Sequence, residues 1–112
     1  MKRIVALVLS ALLLGSCVVY EPVPVGPTTQ QRFDRSWSAA AGAMSDQGVA
    51  IDAQDRAAGA IRGNRGGIVI TATLQTLADG SIQVRFDQSG ATSTDPGLIH
   101  RISESYERRM GR

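Results

Sequence analysis

The sequence is poor in the residues that most metal and disulfide sites require. Its 112 residues include one cysteine, Cys17, and one histidine, His100. A single cysteine excludes an internal disulfide, and the two residues together give no pair at zinc-ligand spacing. We therefore expect no bound metal and no cofactor.

The sequence also lacks a net positive charge once Lys2 and Arg3 are set aside. Lysine occurs only at Lys2, so the remaining basic residues are arginines. The whole chain has twelve basic and ten acidic residues; without Lys2 and Arg3, ten basic residues balance the ten acidic ones. Since proteins that bind nucleic acid normally carry a basic surface, we expect no nucleic-acid partner.

No apolar run is long enough to cross a membrane. Residues 4–14 are almost unbroken in their apolar character, but spanning the hydrocarbon core takes roughly 20 residues. The run follows two basic residues and precedes two small ones, Gly15 and Ser16. A charged start, a short apolar core and small residues are typical of a secretory signal. Residues 1–16 are therefore predicted to be a signal peptide.

The end of this segment resembles the lipobox of bacterial lipoproteins. Leu14, Gly15, Ser16 and Cys17 give an aliphatic residue, two small residues and the obligatory cysteine. The resemblance implies signal cleavage between Ser16 and Cys17 and lipidation of the Cys17 thiol, with palmitate among the acyl groups. Lipidation would also cap a lone thiol in an oxidising compartment. The alternatives are a plain secretory signal with a spare cysteine and an uncleaved anchor.

The resemblance also implies a location in the cell envelope. Bacterial lipoproteins typically carry three acyl chains, and whereas one chain binds a membrane only marginally, several anchor it stably. In enteric-type bacteria an aspartate after the lipidated cysteine tends to retain the protein in the inner membrane, but here Val18 follows Cys17. The expected location is the outer membrane, facing the periplasm.

Residues 17–31 are predicted to be a lipidated tether that precedes the folded domain. Pro22, Pro24 and Pro27 lie in this segment, and proline removes backbone donors and favours extended chain. The remaining residues, 32–112, number roughly 80, which is enough for one small core.

The first half of this domain is predicted to contain a helix and two short strands. Apolar residues at helical spacing indicate a helix over about Arg32–Gln47, which Gly48 would end. Short apolar stretches predict strands at about Val49–Asp52 and Gly59–Gly63, separated by a turn at Gln54–Ala58.

The second half of the domain carries the clearest alternation. Apolar and polar residues alternate over Ile68–Gln75 and Ile82–Asp87, and Asp79-Gly80 lies between these runs. This pattern predicts an antiparallel hairpin with one apolar face. After a polar loop, Asp95 and Pro96 are predicted to cap and begin a second helix. The fold class is therefore α+β: a four-stranded antiparallel sheet with two helices on one face, in the order α-β-β-β-β-α.

The order of these elements also resembles a known group of small domains. Together with the stretches Gly48–Asp52 and Gly59–Gly63, it resembles the helix-and-sheet domains of envelope lipoproteins linked to outer-membrane protein assembly. The resemblance concerns element order, so it implies a fold and no functional residue.

The polar motifs of the domain favour structural roles over catalytic or metal-binding ones. His100, Ser103 and Glu104 are of the types that form a catalytic trio, but neighbours on one helix surface lack an oxyanion hole and a pocket. Asp52 and Asp55 offer too few oxygens for calcium. Gly63–Gly67 lacks the lysine of a phosphate-binding loop and predicts a hairpin loop. We therefore expect a protein that is not an enzyme.

Two sets of side chains are candidates for binding. Phe33 and Trp37 lie on the apolar stripe of the first helix, so a place in the core is favoured over a ligand platform. The second set consists of polar residues expected on the outer face of the sheet: Arg62, Thr71, Thr73, Gln75, Gln83 and Arg85. Such a face fits a partner protein or peptidoglycan, and it also fits an ordinary solvated sheet surface.

These features predict a lipid-anchored envelope protein that acts as a binding or assembly accessory. Its partners would be the membrane, through lipidated Cys17, and another envelope protein or peptidoglycan, through the sheet face or an edge strand. The alternative is a module that binds a small molecule or glycan between helices and sheet, and an envelope enzyme is less favoured.

Overall fold

A computed structural model describes residues 26–112 of the chain. These residues form two helices and four strands in the predicted order. The helices are α1 (Thr29–Asp46) and α2 (Leu98–Arg109), and the strands are β1 (Ala50–Asp55), β2 (Ala60–Arg65), β3 (Ile68–Thr76) and β4 (Ile82–Gly90). The α+β prediction is confirmed. The predicted signal peptide, which ends at Ser16, lies outside the described residues, as do Cys17 and the tether up to residue 25.

Helix α1 begins one turn earlier than predicted. The Thr28 hydroxyl accepts a hydrogen bond from the Gln31 backbone amide at 3.1 Å. In return, the Gln31 side chain accepts one from the Thr28 amide at 2.8 Å. This reciprocal cap satisfies two amides that would otherwise lack partners and fixes the helix start at Thr29. Residues 29–31, predicted as the end of the tether, are therefore helical.

The four strands pair antiparallel in sequence order, β1-β2-β3-β4. The alternation predicted for β3 is confirmed, because Ile68, Ile70, Ala72 and Leu74 are buried against the helices while the residues between them are part exposed. The sheet thus has an inner face, covered by the helices, and an outer face. Strand β1 is longer than predicted: it extends into the first two residues of the expected turn and ends at Asp55, with a bulge between Ile51 and Ala53.

The bulge changes the face on which the later side chains of β1 lie. An extra residue in one strand shifts its later side chains to the opposite face. Ile51, before the bulge, stands opposite the inner-face residue Gly63, and Gln54, after it, stands opposite Ile61. Gln54 there accepts a hydrogen bond from the Trp37 indole at 3.3 Å, which gives the polar end of a buried aromatic side chain a partner.

The core fills the space between the inner sheet face and the two helices. Trp37 is 6 % exposed and belongs to this core, as predicted, and Phe33 packs against it. The fully buried apolar side chains come from both helices and from the two central strands: Met44, Ile61, Ile68, Ile70, Leu98 and Ile102. Each such side chain stabilises the fold by roughly 1.5–3 kcal/mol relative to full exposure.

Helix α2 begins later than predicted, and Asp95 does not cap it. The residue before the helix is Gly97, which makes no side-chain capping bond, and the first helical residue is Leu98. The Asp95 carboxylate instead pairs with Arg65 at 2.6 Å and with Arg101 at 2.5 Å. Two guanidinium groups offer stronger, charge-assisted bonds than backbone amides do. Asp95 therefore ties the end of β2 to α2.

The helices pack antiparallel, with Asp46 at their contact. The Asp46 carboxylate accepts two hydrogen bonds from Arg109, at 2.8 and 2.7 Å, and one from the Ser105 hydroxyl at 2.6 Å. The Arg109 guanidinium lies so close to Gly42 that a Cβ atom there would stand 2.5 Å from it. The absence of a Cβ atom at Gly42 therefore leaves room for the Arg109 side chain to lie across α1.

The β3–β4 hairpin turns at Leu77–Ser81. The turn lies at Asp79-Gly80, as predicted, and of these two residues only Gly80 has a positive φ, +84°. The Asp79 carboxylate accepts hydrogen bonds from the Ser81 amide at 3.0 Å and from its hydroxyl at 2.6 Å. The two residues stabilise the turn differently: glycine by its backbone freedom and aspartate by its side chain.

We expect Gly80→Val to lower the free energy of unfolding by about 1–2 kcal/mol, because a β-branched residue is strained at positive φ. Urea denaturation followed by circular dichroism measures the change. Asp79→Ala is the control, since it removes the side-chain bonds and leaves the backbone conformation accessible, so its loss should be smaller. An unchanged denaturation midpoint in Gly80→Val would refute this account of the turn.

Within residues 26–112, neither helix is long and apolar enough to cross a bilayer.

Candidate functional site

The six residues predicted to form a binding face lie together on the outer side of the sheet. Across the central strands, Arg62 stands opposite Thr71, and Ala60 opposite Thr73. On the other side of β3, Thr73 stands opposite Arg85 and Gln75 opposite Gln83. The register therefore joins them into one surface, which we call the outer face: Arg62, Thr71, Thr73, Gln75, Gln83 and Arg85.

The outer face is polar and has one small depression among the described residues. This depression, of about 100 Å³, lies between Thr73, Gln75, Gln83 and Arg85. The threonines are half-buried, whereas the glutamines and Arg85 are exposed. This pattern leaves the long polar side chains accessible to a partner at the surface.

One acidic residue of the outer face was missing from the predicted set. Asp87 stands opposite Thr71 and its carboxylate pairs with Arg85 at 3.2 Å. Both side chains are more than half exposed, so the pair adds little to stability and can exchange for a partner's charges. The alternation of β4 already placed Asp87 on this face, which was the signal available in the sequence.

The structure does not assemble His100, Ser103 and Glu104 into a nucleophile and its base. The His100 Nε2 atom lies 2.5 Å from the Glu104 carboxylate, and both side chains are more than half exposed. The Ser103 hydroxyl donates to the Ile99 carbonyl at 3.0 Å, one turn earlier in the helix. Since a serine nucleophile needs its proton accepted by a base, this geometry gives Ser103 no activation.

The other polar motifs have structural roles. Asp55 accepts a hydrogen bond from the Ala58 amide in the β1–β2 turn, while Asp52 lies exposed at the bulge. Asn64 accepts one from the Gly67 amide, so the glycine-rich stretch forms the predicted hairpin loop. No cluster of three potential metal ligands occurs among residues 26–112.

Two carboxylates have pKa values below their usual range because arginines bind them. Arg109, helped by the Ser105 hydroxyl, holds the pKa of Asp46 far below its usual range. Hydrogen bonds from Arg101 and then Arg65 lower the pKa of Asp95. Both clusters join elements of the fold to one another, and each carboxylate is already occupied by protein donors. Asp46 and Asp95 are therefore assigned to stabilising the packing of these elements and not to binding a ligand.

Stability should fall in acid through Asp46. A lowered folded-state pKa means that the unfolded chain binds the proton more tightly. The stabilisation is therefore present above the ordinary aspartate pKa of about 3.9 and is lost as the pH falls toward the lowered value. Since 38 % of the side chain is exposed, we expect on the order of 1 kcal/mol.

Asp46→Asn provides the comparison for this prediction. Its unfolding free energy should be lower near neutral pH and should change less between about pH 5 and about pH 2, because the titrating group is gone. Urea denaturation across this range measures both chains. Parallel profiles would show that Asp46 does not contribute the expected pH dependence.

Sequence reasoning missed one further feature, a groove lined by Arg32, Arg35 and Arg112 at the end of the domain where Pro27 enters it. No local pattern connects these arginines, since they come from both ends of the domain and meet only after folding. Comparison of the chain with protein families, with curated proteins and with solved structures gave no match.

Proposed function

We propose that this chain is a non-enzymatic, lipid-anchored protein of the cell envelope that binds a partner protein through its outer face. The observation that carries the proposal is the continuous polar surface formed by β2, β3 and β4 on the side of the sheet away from the helices. The apolar residues needed for the core lie on the inner face.

The charges of the outer face support a protein partner. Arg62 on β2 and Asp87 on β4 stand on either side of Thr71, and Arg85 is the next outer-face residue along β4. Exposed arginines and an aspartate among threonine and glutamine side chains favour a polar interface with several hydrogen bonds. Such charges steer association and select the partner more than they add affinity.

The lipid anchor is supported by the sequence at Cys17. The lipobox segment and the proline-containing tether would hold the domain close to a membrane, and Val18 favours the outer membrane facing the periplasm. A protein held there meets partners that share the same membrane at a high effective concentration, so that a modest interface suffices.

The alternative is a module that binds a small molecule or glycan between helices and sheet. Against it, the space there is occupied by side chains that are almost fully buried, among them Met44, Ile70 and Ile102. Small-ligand sites are typically concave and lined by apolar and aromatic groups. On the outer face the depression has only about 100 Å³ and a polar lining, which favours the protein partner.

Photo-crosslinking in cells tests the proposed interface. A photoreactive amino acid at Thr73 is expected to capture one defined envelope protein, whereas the same group at Ser38, exposed on α1, is not. Arg85→Glu should reduce capture at Thr73 by about tenfold or more, because reversing an interface charge is strongly unfavourable.

Arg108→Glu is the matched control, since Arg108 is also exposed and pairs with a carboxylate, Glu104, on the opposite side of the domain. Its capture yield should equal that of the unmodified chain. Equal yields at Thr73 and Ser38 would contradict the proposal. Binding to purified peptidoglycan that is lost in Arg85→Glu would instead make peptidoglycan, and not a protein, the partner of the outer face.

A further inference from the structure

The groove at the entry of the chain into the domain concentrates positive charge. It has a volume of about 250 Å³ and lies between the start of α1, the β3–β4 hairpin and the residues after α2. Its lining includes Arg32, Arg35 and Arg112 and contains no aspartate or glutamate.

The charges of this groove are poorly neutralised by the protein. Arg35 donates to the Met110 carbonyl at 2.7 Å, and Arg32 approaches the Gly80 carbonyl at 3.4 Å; both acceptors are neutral. Arg112 reaches the Glu107 carboxylate only at 3.4 Å, with about half of each side chain exposed. Guanidinium groups with free donors bind phosphate oxygens well, because the donors match in geometry and charge.

Acidic residues around the groove do not cancel this charge. Asp79, in the neighbouring hairpin, has its pKa lowered mainly by the Ser81 hydroxyl and amide, and Arg32 contributes least. Asp34, on the same helix, pairs with Arg56. By contrast, Arg109 donates two hydrogen bonds to Asp46, whereas Arg32 and Arg35 donate to neutral carbonyls and Arg112 reaches Glu107 only at 3.4 Å.

Apolar side chains border the same end of the domain. Pro27, Ile82 and Met110 line the groove beside the arginines. Leu77, in the adjacent hairpin, is 39 % exposed and is the most exposed large apolar side chain among residues 26–112. Positive and apolar groups side by side suit the boundary between lipid headgroups and acyl chains.

The tether places this end next to a bilayer. Nine residues separate Cys17 from Pro27, so the chain between them spans at most about 35 Å when fully extended. If Cys17 is lipidated, as we propose, the groove is held near the headgroups. Weak attraction then becomes effective, because binding is intramolecular.

We infer that this groove binds the phosphate of an anionic membrane lipid and docks the domain on its own membrane. The inference rests on the proposed anchor and adds an orientation to it. The β3–β4 hairpin lies at the groove, so the strands run away from the bilayer. The outer face then stands to the side and stays open to a partner.

Fluorescence quenching tests the docked orientation. The chain from residue 17 onward, carrying Leu77→Trp, is coupled through the Cys17 thiol to a maleimide lipid in vesicles that contain brominated phosphatidylcholine. Trp37 is buried and provides a constant background. We expect strong quenching when phosphatidylglycerol is present and little in phosphatidylcholine alone. Equal quenching in the two lipids would overturn the inference.

Two double variants distinguish lipid binding in the groove from a general effect of the protein's net charge. Arg32→Gln/Arg112→Gln leaves the bond from Arg35 to Met110 in place, and it should weaken docking roughly thirtyfold, since each basic residue near an anionic surface contributes about a factor of five. Arg62→Gln/Arg85→Gln removes the same charge from the outer face and should leave docking unchanged. Equal losses in folded samples of both variants, checked by circular dichroism, would overturn the groove assignment.

Two further measurements separate the sources of failure. Inorganic phosphate and chloride are compared at equal ionic strength: phosphate should release the docked domain more effectively, because it competes for the same guanidinium donors. Equal effects would show that docking depends on general charge screening and would overturn the phosphate assignment. Palmitate labelling in cells tests the anchor separately. Chemical coupling supplies the anchor in the vesicle assay, so docking there without palmitate labelling would refute the proposed function and leave the groove's lipid affinity standing.

Discussion

Replacing Cys17 by alanine is expected to abolish palmitate incorporation and to release the protein from the membrane. Alanine has no sulfur to form the thioether bond, and the apolar run before it is too short to hold the chain across a bilayer once the lipid is lost. Metabolic labelling with radioactive palmitate, followed by membrane fractionation, measures both effects. We expect complete loss of label and a shift of the protein to the soluble fraction or to an unprocessed precursor.

Val18→Asp is the companion variant for this experiment. It keeps Cys17, so labelling should be unchanged, but an aspartate after the lipidated cysteine should move the protein from the outer to the inner membrane in an enteric-type host. Palmitate incorporated into Cys17→Ala would disprove the anchor. Normal labelling with no change of membrane in Val18→Asp would disprove only the sorting prediction.

Replacing Gly59 by alanine is expected to destabilise the fold by about 3 kcal/mol, through left-handed strain and a buried clash. Gly59 has a φ of +69°, and a Cβ atom there would collide with the Leu74 carbonyl oxygen. The Gly59 carbonyl also accepts a hydrogen bond from the Leu74 amide at 2.7 Å. Relieving the clash would separate two paired strands, because a backbone oxygen cannot move aside as a flexible side chain can.

Gly66→Ala separates strain from collision. Gly66 has a similar φ, +56°, but no atom lies within 4 Å of the position that its Cβ would occupy. Its cost should be about 1 kcal/mol, the strain alone. Urea denaturation of both variants gives the difference. Equal losses would show that the contact with Leu74 is easily relieved and that the close packing at Gly59 is not a constraint.

The Gly59→Ala substitution should have a large consequence because the domain is small and has little stability to lose. A fold of fewer than 90 residues is stabilised by only about 5 kcal/mol or a little more. A loss of about 3 kcal/mol therefore leaves a marginal protein, and a crosslinking or docking assay on such a variant would report unfolding. The variants chosen for those assays avoid the core for this reason.

The sheet was predictable because its signal is local. In β3 the alternation from Ile68 to Leu74 records directly which side chains face the core, since successive residues of a strand point to opposite faces. The same rule predicts that Thr71, Thr73 and Gln75 lie on the outer face, and it does not require the strand register. Their neighbours in the adjacent strands followed from the hairpin at Gly80, which sets β4 against β3.

The ends of the helices were harder to predict because capping groups compete. The Thr28–Gln31 pattern was present in the sequence and would have given the start of α1. At α2, however, Asp95 is an equally good capping residue by type, and its partners decide otherwise. Arg65 comes from β2, far along the chain, so no local pattern could show that it would bind Asp95.

The sequence by itself determined the secretory and lipobox signature at Cys17, the order of the elements and the face on which the residues of β3 and β4 lie. These features depend on short-range periodicity and on residue types at fixed spacing. Only the tertiary structure decided which arginines are held by a carboxylate at the helix contact and which line a groove. Arg109 pairs with Asp46, whereas Arg32, Arg35 and Arg112 lie around the groove. The packing of the helices on the sheet brings these distant residues together, and local spacing carries no record of it.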